Sequence, residues 1–189
     1  MQKPSRRQYL FSVSIFFFFI LFGYFFAKYN FEKSRFLLGE LNPFFSEGRE
    51  TSGWQIFIFI FINNSVKAFL SIVLGFLFGI MPVFLLITNG FLIGLVIRLV
   101  VPLEGWAYVM AALLPHGVLE IPAIIISATY GLWIGVNFIK MIRTNNSKDV
   151  YYSIRKSLGI FFKVILPIVF IAALIETFVT PKIMVLFVK

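Results

Sequence analysis

The chain has no cysteine. Disulfide frameworks, thiolate ligands and thiolate nucleophiles are therefore excluded, and cysteine usage says nothing about redox compartment. It has one histidine, His116, which rules out a metal site built from several histidines of one chain. Charge is scarce as well. Charged residues make up 13% of the sequence, against about 25% in soluble domains. Apolar and polar residues do not alternate over the long hydrophobic runs, so a transmembrane β-barrel is not expected. The sequence lacks a His-Glu-x-x-His zinc motif, a Gly-x-Ser-x-Gly elbow and a phosphate-binding loop. Ser127 is poorly spaced from His116 to serve as a hydrolase nucleophile. No cofactor, no resident metal and no enzymatic activity are expected.

What remains is apolar. Hydrophobic residues account for 60% of the chain, with 26 phenylalanines. Several runs reach the roughly 20 residues that a helix needs to cross a bilayer. The expected fold class is an all-α polytopic membrane protein in a single integral membrane domain. The net charge of +9 comes from basic residues gathered at the ends of apolar runs. That is the pattern of topology signals and of contact with anionic lipid, and not of nucleic-acid binding.

Taken in order, span one is expected over 9–28. It follows Lys3, Arg6 and Arg7 as a signal peptide would, yet has no small-residue cleavage site after it. Over the polar loop 29–53 and the Lys28 that precedes it, Lys28, Lys33, Arg35 and Arg49 balance Glu32, Glu40, Glu47 and Glu50. A short interfacial helix can form around Asn42-Pro43. Span two is placed at 54–81 and ended by Pro82. Span three covers 83–101, and 102–105 is a turn. The segment 106–119 is too short to be a span. Span four covers 120–139. A basic loop over 140–157 carries Lys140, Arg143, Lys148, Arg155 and Lys156 against Asp149. Span five covers 158–179, with Pro167 as a kink and Pro181 as its end. Basic segments stay cytoplasmic, so both the N-terminus and the 140–157 loop should lie inside. That leaves one crossing between 101 and 140. The segment 106–119 is then expected to be re-entrant, giving about five spans and an extracytoplasmic C-terminus in the cell membrane.

The centre of interest is Pro115-His116-Gly117-Val118-Leu119-Glu120-Ile121-Pro122. On a helix, positions four apart share a face, so His116 and Glu120 should point the same way. Pro115 suits a first helical turn. Pro122 removes the donor for the Val118 carbonyl. Ionisable groups at membrane depth are expensive and mark functional sites. The alternative is a plain hydrogen bond between helices, but such bonds contribute only about 0.6 kcal/mol on average. Lys67 falls in the middle of span two and is expected to pair with Glu120, leaving His116 neutral. Asn64 and Asn89 complete the expected intramembrane polar site. Arg98 and Glu176, near the outer span ends, are expected to pair across the outer face. Gly75 and Gly79, Gly90 and Gly94, Gly131 and Gly135, together with Gly117, are read as helix-packing positions. Pro82, Pro115, Pro122 and Pro167 are read as helix breaks. The run from Phe16 to Phe19 is read as lipid-facing bulk.

Several of these motifs occur together. Asn64-x-x-x-Ala68, Gly75-x-x-x-Gly79-x-x-Pro82, Asn89-Gly90-x-x-x-Gly94, Pro115-His116-Gly117-x-x-Glu120 and a late Glu176 resemble the stage II sporulation protein M family over roughly 63–181. The Pro-His-Gly-x-x-Glu element is the most specific part. The resemblance implies a five-span integral membrane protein without an established catalytic activity. It is similar to a membrane anchor that recruits a partner protein during engulfment. Two functions follow as expectations: passage of an ion or small solute, or a proton relay, at the polar site; and a scaffold that docks a membrane or extracytoplasmic partner. Three small-residue helix faces also lead us to expect a homodimer or higher homo-oligomer in the lipid bilayer.

Overall fold

The computed structural model describes residues 3–40 and 52–187. Among these the chain is helical, with no strand. The interfacial helix expected around Asn42-Pro43 lies outside the described residues. Four helices are long and apolar enough to cross a membrane: Arg6–Tyr29, Gly53–Phe76, Ile80–Thr144 and Lys148–Val185.

Helix α1 (Arg6–Tyr29) and helix α3 (Gly53–Val73) start in the same way. Ser5 and Ser52 are N-caps, and Gln8 and Gln55 reach back to the cap nitrogens at 2.8 and 3.0 Å. Each Ser-x-x-Gln box satisfies backbone donors that would otherwise be orphaned at a helix start. Between them, α2 (Phe31–Glu40) follows α1 after a break at Asn30. It sets Leu37 and Leu38 against Ala27, Leu95 and Leu99.

Span two ends earlier than expected. After Val73 the chain tightens into a 3-10 turn, Leu74–Phe76, and reverses through Phe78 and Gly79, both at positive φ. The next helix, α4, begins at Ile80. Pro82 therefore does not break a helix. It sits in the first turn of one, where its missing N–H has no intrahelical partner to lose.

Helix α4 (Ile80–Thr144) has 65 residues. Drawn straight it would be about 97 Å long at ~1.5 Å per residue, some three bilayer cores. It folds back instead at Gly105, its one residue with non-helical backbone (φ 86°, ψ 169°). Only glycine adopts such angles without strain. The two arms, 80–104 and 106–144, run antiparallel. Pro82 meets Gly131, Leu86 packs with Ala128, and Leu85 and Asn89 share a cavity with Glu120. The re-entrant segment expected over 106–119 is instead continuous helix with 120–139. Pro115 and Pro122 are carried inside it and do not break it. Each proline removes one backbone donor, but the flanking turns and the packed neighbours keep the helical path.

The last rod is α5 (Lys148–Ile160), α6 (Leu166–Leu174) and α7 (Thr180–Val185), joined by two π-helical segments, Phe161–Ile165 and Ile175–Val179. Each segment is centred four residues before a proline. Lys163 precedes Pro167, and Thr177 precedes Pro181. A proline ring crowds the carbonyl four residues back, and a wider turn relieves that contact. Pro167 thus gives a bulge and not a break. Pro181, expected to end the span, lies in the first turn of α7.

The core joins α3, the second arm of α4 and the last rod through Ala68, Ile72, Ala123, Trp133, Ile134, Phe161 and Ile165. The glycine pairs set the backbone distances. A Cβ on Gly75 would collide with the Gly131 carbonyl, and one on Gly135 would lie 2.7 Å from the Gly79 nitrogen. Gly90 and Gly94 take α1 in the same fashion, against Phe16, Ile20 and Tyr24. All three pairs are used inside one chain, so they give no reason for a second copy. Gly117 is different: within 4 Å, a Cβ there would meet only Ile121 of its own helix. Phe16 also departs from expectation. It is fully buried against Leu86 and Ala128, whereas Phe17 and Phe18 are exposed.

Candidate intramembrane polar site

Helix α3 and both arms of α4 carry polar side chains to one small space. Asn64 and Lys67 come from α3, Asn89 from the first arm of α4, and Glu120 from the second. They line a cavity of about 10 Å³ whose other walls are Ala68, Leu85, Ala123, Ile124 and Val169. That is room for about one water or small ion. Asn89 is held by its Nδ2, which donates to the Leu85 carbonyl at 2.8 Å.

Glu120 belongs to a second group as well. His116, Glu120 and Glu176 each offer a ligand-type atom, and these atoms all lie within 4.8 Å of one another. His116 and Glu120 share a face of α4, as their spacing requires. Glu176 reaches them from the π-helical segment Ile175–Val179. All three side chains are half-buried. The His116 Nδ1 is buried without a hydrogen-bond partner, as are the Thr177 and Thr180 hydroxyls on the stretch that carries Glu176. A buried polar atom left unpaired costs about 1–3 kcal/mol, so a cluster of them calls for a purpose.

Glu120 is where the charges meet. It shares the cavity with Lys67 and the ligand-type cluster with Glu176. Lys67 does not form the contact pair that its position in α3 led us to expect. Among the described residues no ion pair joins it to either glutamate. It is exposed along α3, and its stem also borders a lateral groove with Gln55, Ile58 and Ile62.

Of the residues expected to make the site, Asn64, Lys67, Asn89 and Glu120 meet at one cavity, and His116 joins them through Glu120. The outer-face pair of Arg98 with Glu176 does not form. Glu176 is turned to His116 and Glu120 instead. The wide turn at Ile175–Val179 re-aims that residue, and helical periodicity alone does not include such a turn. The available signal was Pro181, whose ring acts on the carbonyl of the residue after Glu176.

A family model described as Stage II sporulation protein M matches residues 12–181. The chain belongs to the stage II sporulation protein M family. The matched residues include every member of the polar site, the three glycine pairs and both π-helical segments. This SpoIIM-family chain is also similar to an uncharacterized protein, MJ0706, of Methanocaldococcus jannaschii. The two are 37% identical over 73 residues, 37% of this chain and 34% of the relative. The match thus spans about a third of that relative's length. No solved structure matches the chain.

Proposed function

We propose that this SpoIIM-family membrane protein is not an enzyme and lets a small cation cross, or relays protons, through the space between α3, α4 and the last rod. One observation carries this reading. Two ionisable side chains, Lys67 and Glu120, line a cavity with room for about one ion, and His116 and Glu176 gather beside that same Glu120. Intramembrane ionisable groups facing a bundle interior are the hallmark of ion and proton pathways.

The arrangement in the cell membrane follows from charge. Ser12 on α1 lies 2.9 Å from Thr129 on the second arm of α4. The basic start of α1, with Arg6 and Arg7, is therefore at the end of the bundle from which α4 runs on to Lys140 and Arg143. Positive residues stay inside, so this is the cytoplasmic end. The two arms of α4 count as separate crossings, which makes five crossings with the C-terminus outside. The five-crossing count no longer needs a re-entrant segment, because residues 106–144 cross once as one long helix.

The test is a flux assay in proteoliposomes, with monovalent and divalent cations and a pH dye. Wild type should exceed empty vesicles, and Glu120→Gln should fall to their level. Background flux by wild type for every ion would reject the proposal. The docking alternative rests on the family relationship. Its helix-face motivation is gone, because the glycine pairs are occupied within the chain. Repeated co-purification of one partner from native membranes would favour it.

A further inference from the structure

We propose that His116, Glu120 and Glu176 bind a divalent first-row transition ion, of the class of zinc or manganese. This deepens the cation-pathway reading by naming its ligand class. It rests on that reading only for transport, and not for binding.

The donor set selects the ion. One imidazole nitrogen and two carboxylates suit zinc, manganese, iron(II) or cobalt. Copper(I) prefers thiolate or thioether ligands, and the chain has no cysteine. Calcium asks for about 6–8 oxygens, more than this cluster presents. The geometry is close to closed. Donors at about 2.1 Å from a tetrahedral ion are about 3.4 Å apart, and here they lie within 4.8 Å of one another. Side-chain rotations of the two glutamates supply the remaining contraction.

Two further features accompany the cluster. The His116 imidazole has a buried nitrogen, Nδ1, without a hydrogen-bond partner, so the ring is not committed to another group through that atom. Glu176 is presented by a π-helical turn, a feature found frequently at functional sites because it re-aims one side chain out of helical register. Without that turn the third ligand would not face the other two.

Lys67 gives the proposal its sharpest consequence. Lys67 and Glu120 line one small cavity, so the ammonium faces a carboxylate of the proposed ligand set. Lysine and a metal ion thus compete for the same negative charge, and Lys67 is the cation that remains when the ion leaves. Removing the lysine should strengthen metal binding, whereas removing a ligand should weaken it.

The experiment uses the full chain, purified in mild detergent and stripped with a chelator. Zinc is titrated by calorimetry and manganese by electron paramagnetic resonance, for wild type, His116→Ala, Glu176→Gln and Lys67→Gln. Wild type should bind one ion per chain. Glu176→Gln and His116→Ala should each lose at least about tenfold in affinity, since even outer-shell changes cost ~10–100-fold at metal sites. Lys67→Gln should bind more tightly than wild type. If His116→Ala does not fold, Glu176→Gln and Lys67→Gln decide. Wild-type affinity no better than that of Glu176→Gln overturns the proposal, as does unchanged or weaker binding by Lys67→Gln. Metal binding with no flux in vesicles supports the site and rejects the transport reading. Proton or monovalent flux without metal binding overturns the site and leaves the transport reading standing.

Discussion

The second arm of α4 is one helix with two characters. Around Gly131 and Gly135 it lies backbone to backbone on Gly75 and Gly79, with no room for a methyl group. Around His116, Gly117 and Glu120 it is held loosely. Gly117 has free space where a Cβ would go, and the neighbouring side chains are ionisable and incompletely hydrogen-bonded. In a bilayer, helices gain little from hiding apolar surface from one another, because lipid is as apolar as leucine. Stability then comes from close packing, and the glycine crossing supplies it. That rigid crossing lets the other half of the same helix carry polar groups that weaken packing. Stability and chemistry are thus separated along one rod.

The comparison can be broken most forcefully at the crossing. Gly131→Val places side-chain atoms on the Ser71 carbonyl and the Pro82 ring. Overpacking of this kind costs about 1–3 kcal/mol or more, so thermal unfolding in detergent should show a large loss. A stability equal to wild type would mean that the crossing is not the anchor.

A somewhat smaller effect is expected in the polar half. Lys67→Met leaves Glu120 and Glu176 facing each other without their shared positive neighbour. The loss should be partly recovered by Glu120→Gln in the same chain, with a coupling of about 0.5–3 kcal/mol in a double-mutant cycle. Strictly additive effects of the two changes would show that the lysine and the glutamate do not act as one unit.

Smaller still is the hydrogen bond between Ser12 and Thr129, which ties α1 to α4. Thr129→Val removes it, and interhelical bonds in membranes average about 0.6 kcal/mol. A loss several times that size would make this contact part of the anchor and blur the division between the two halves.

The smallest effect is expected at Gly117. Gly117→Ala meets only Ile121 of its own helix. Stability should stay within about 0.5 kcal/mol of wild type, as for substitutions away from tight contacts. A collapse like that of Gly131→Val would show that the half around His116 is packed as closely as the half around Gly131, and the comparison would fail.

Much of this was legible in composition and spacing. The apolar runs fixed an all-helical membrane protein, because a bilayer leaves the backbone no other partner than itself along a single span. The four-residue spacing of His116 and Glu120 put them on one face. The glycine pairs announced close approach, though not which helices would meet. Asn64, Lys67, Asn89 and Glu120 stand out in the sequence for their cost in lipid, and in the fold they line one cavity.

Other features belong to the tertiary structure alone. Pro115 and Pro122 remain inside a helix because neighbouring turns carry the backbone past each missing donor. Gly105 is the true reversal, a matter of one backbone conformation that glycine permits but does not dictate. Gly75 and Gly79 found Gly131 and Gly135, and not another chain, because the reversals at Gly79 and Gly105 bring those residues to one level. Glu176 left the outer face for His116 and Glu120 because Pro181 widens the turn beneath it. Local sequence determined which residues are costly to bury and which faces are smooth. Only the folded backbone, through the reversals at Gly79 and Gly105 and the wide turns before Pro167 and Pro181, decided which of them meet.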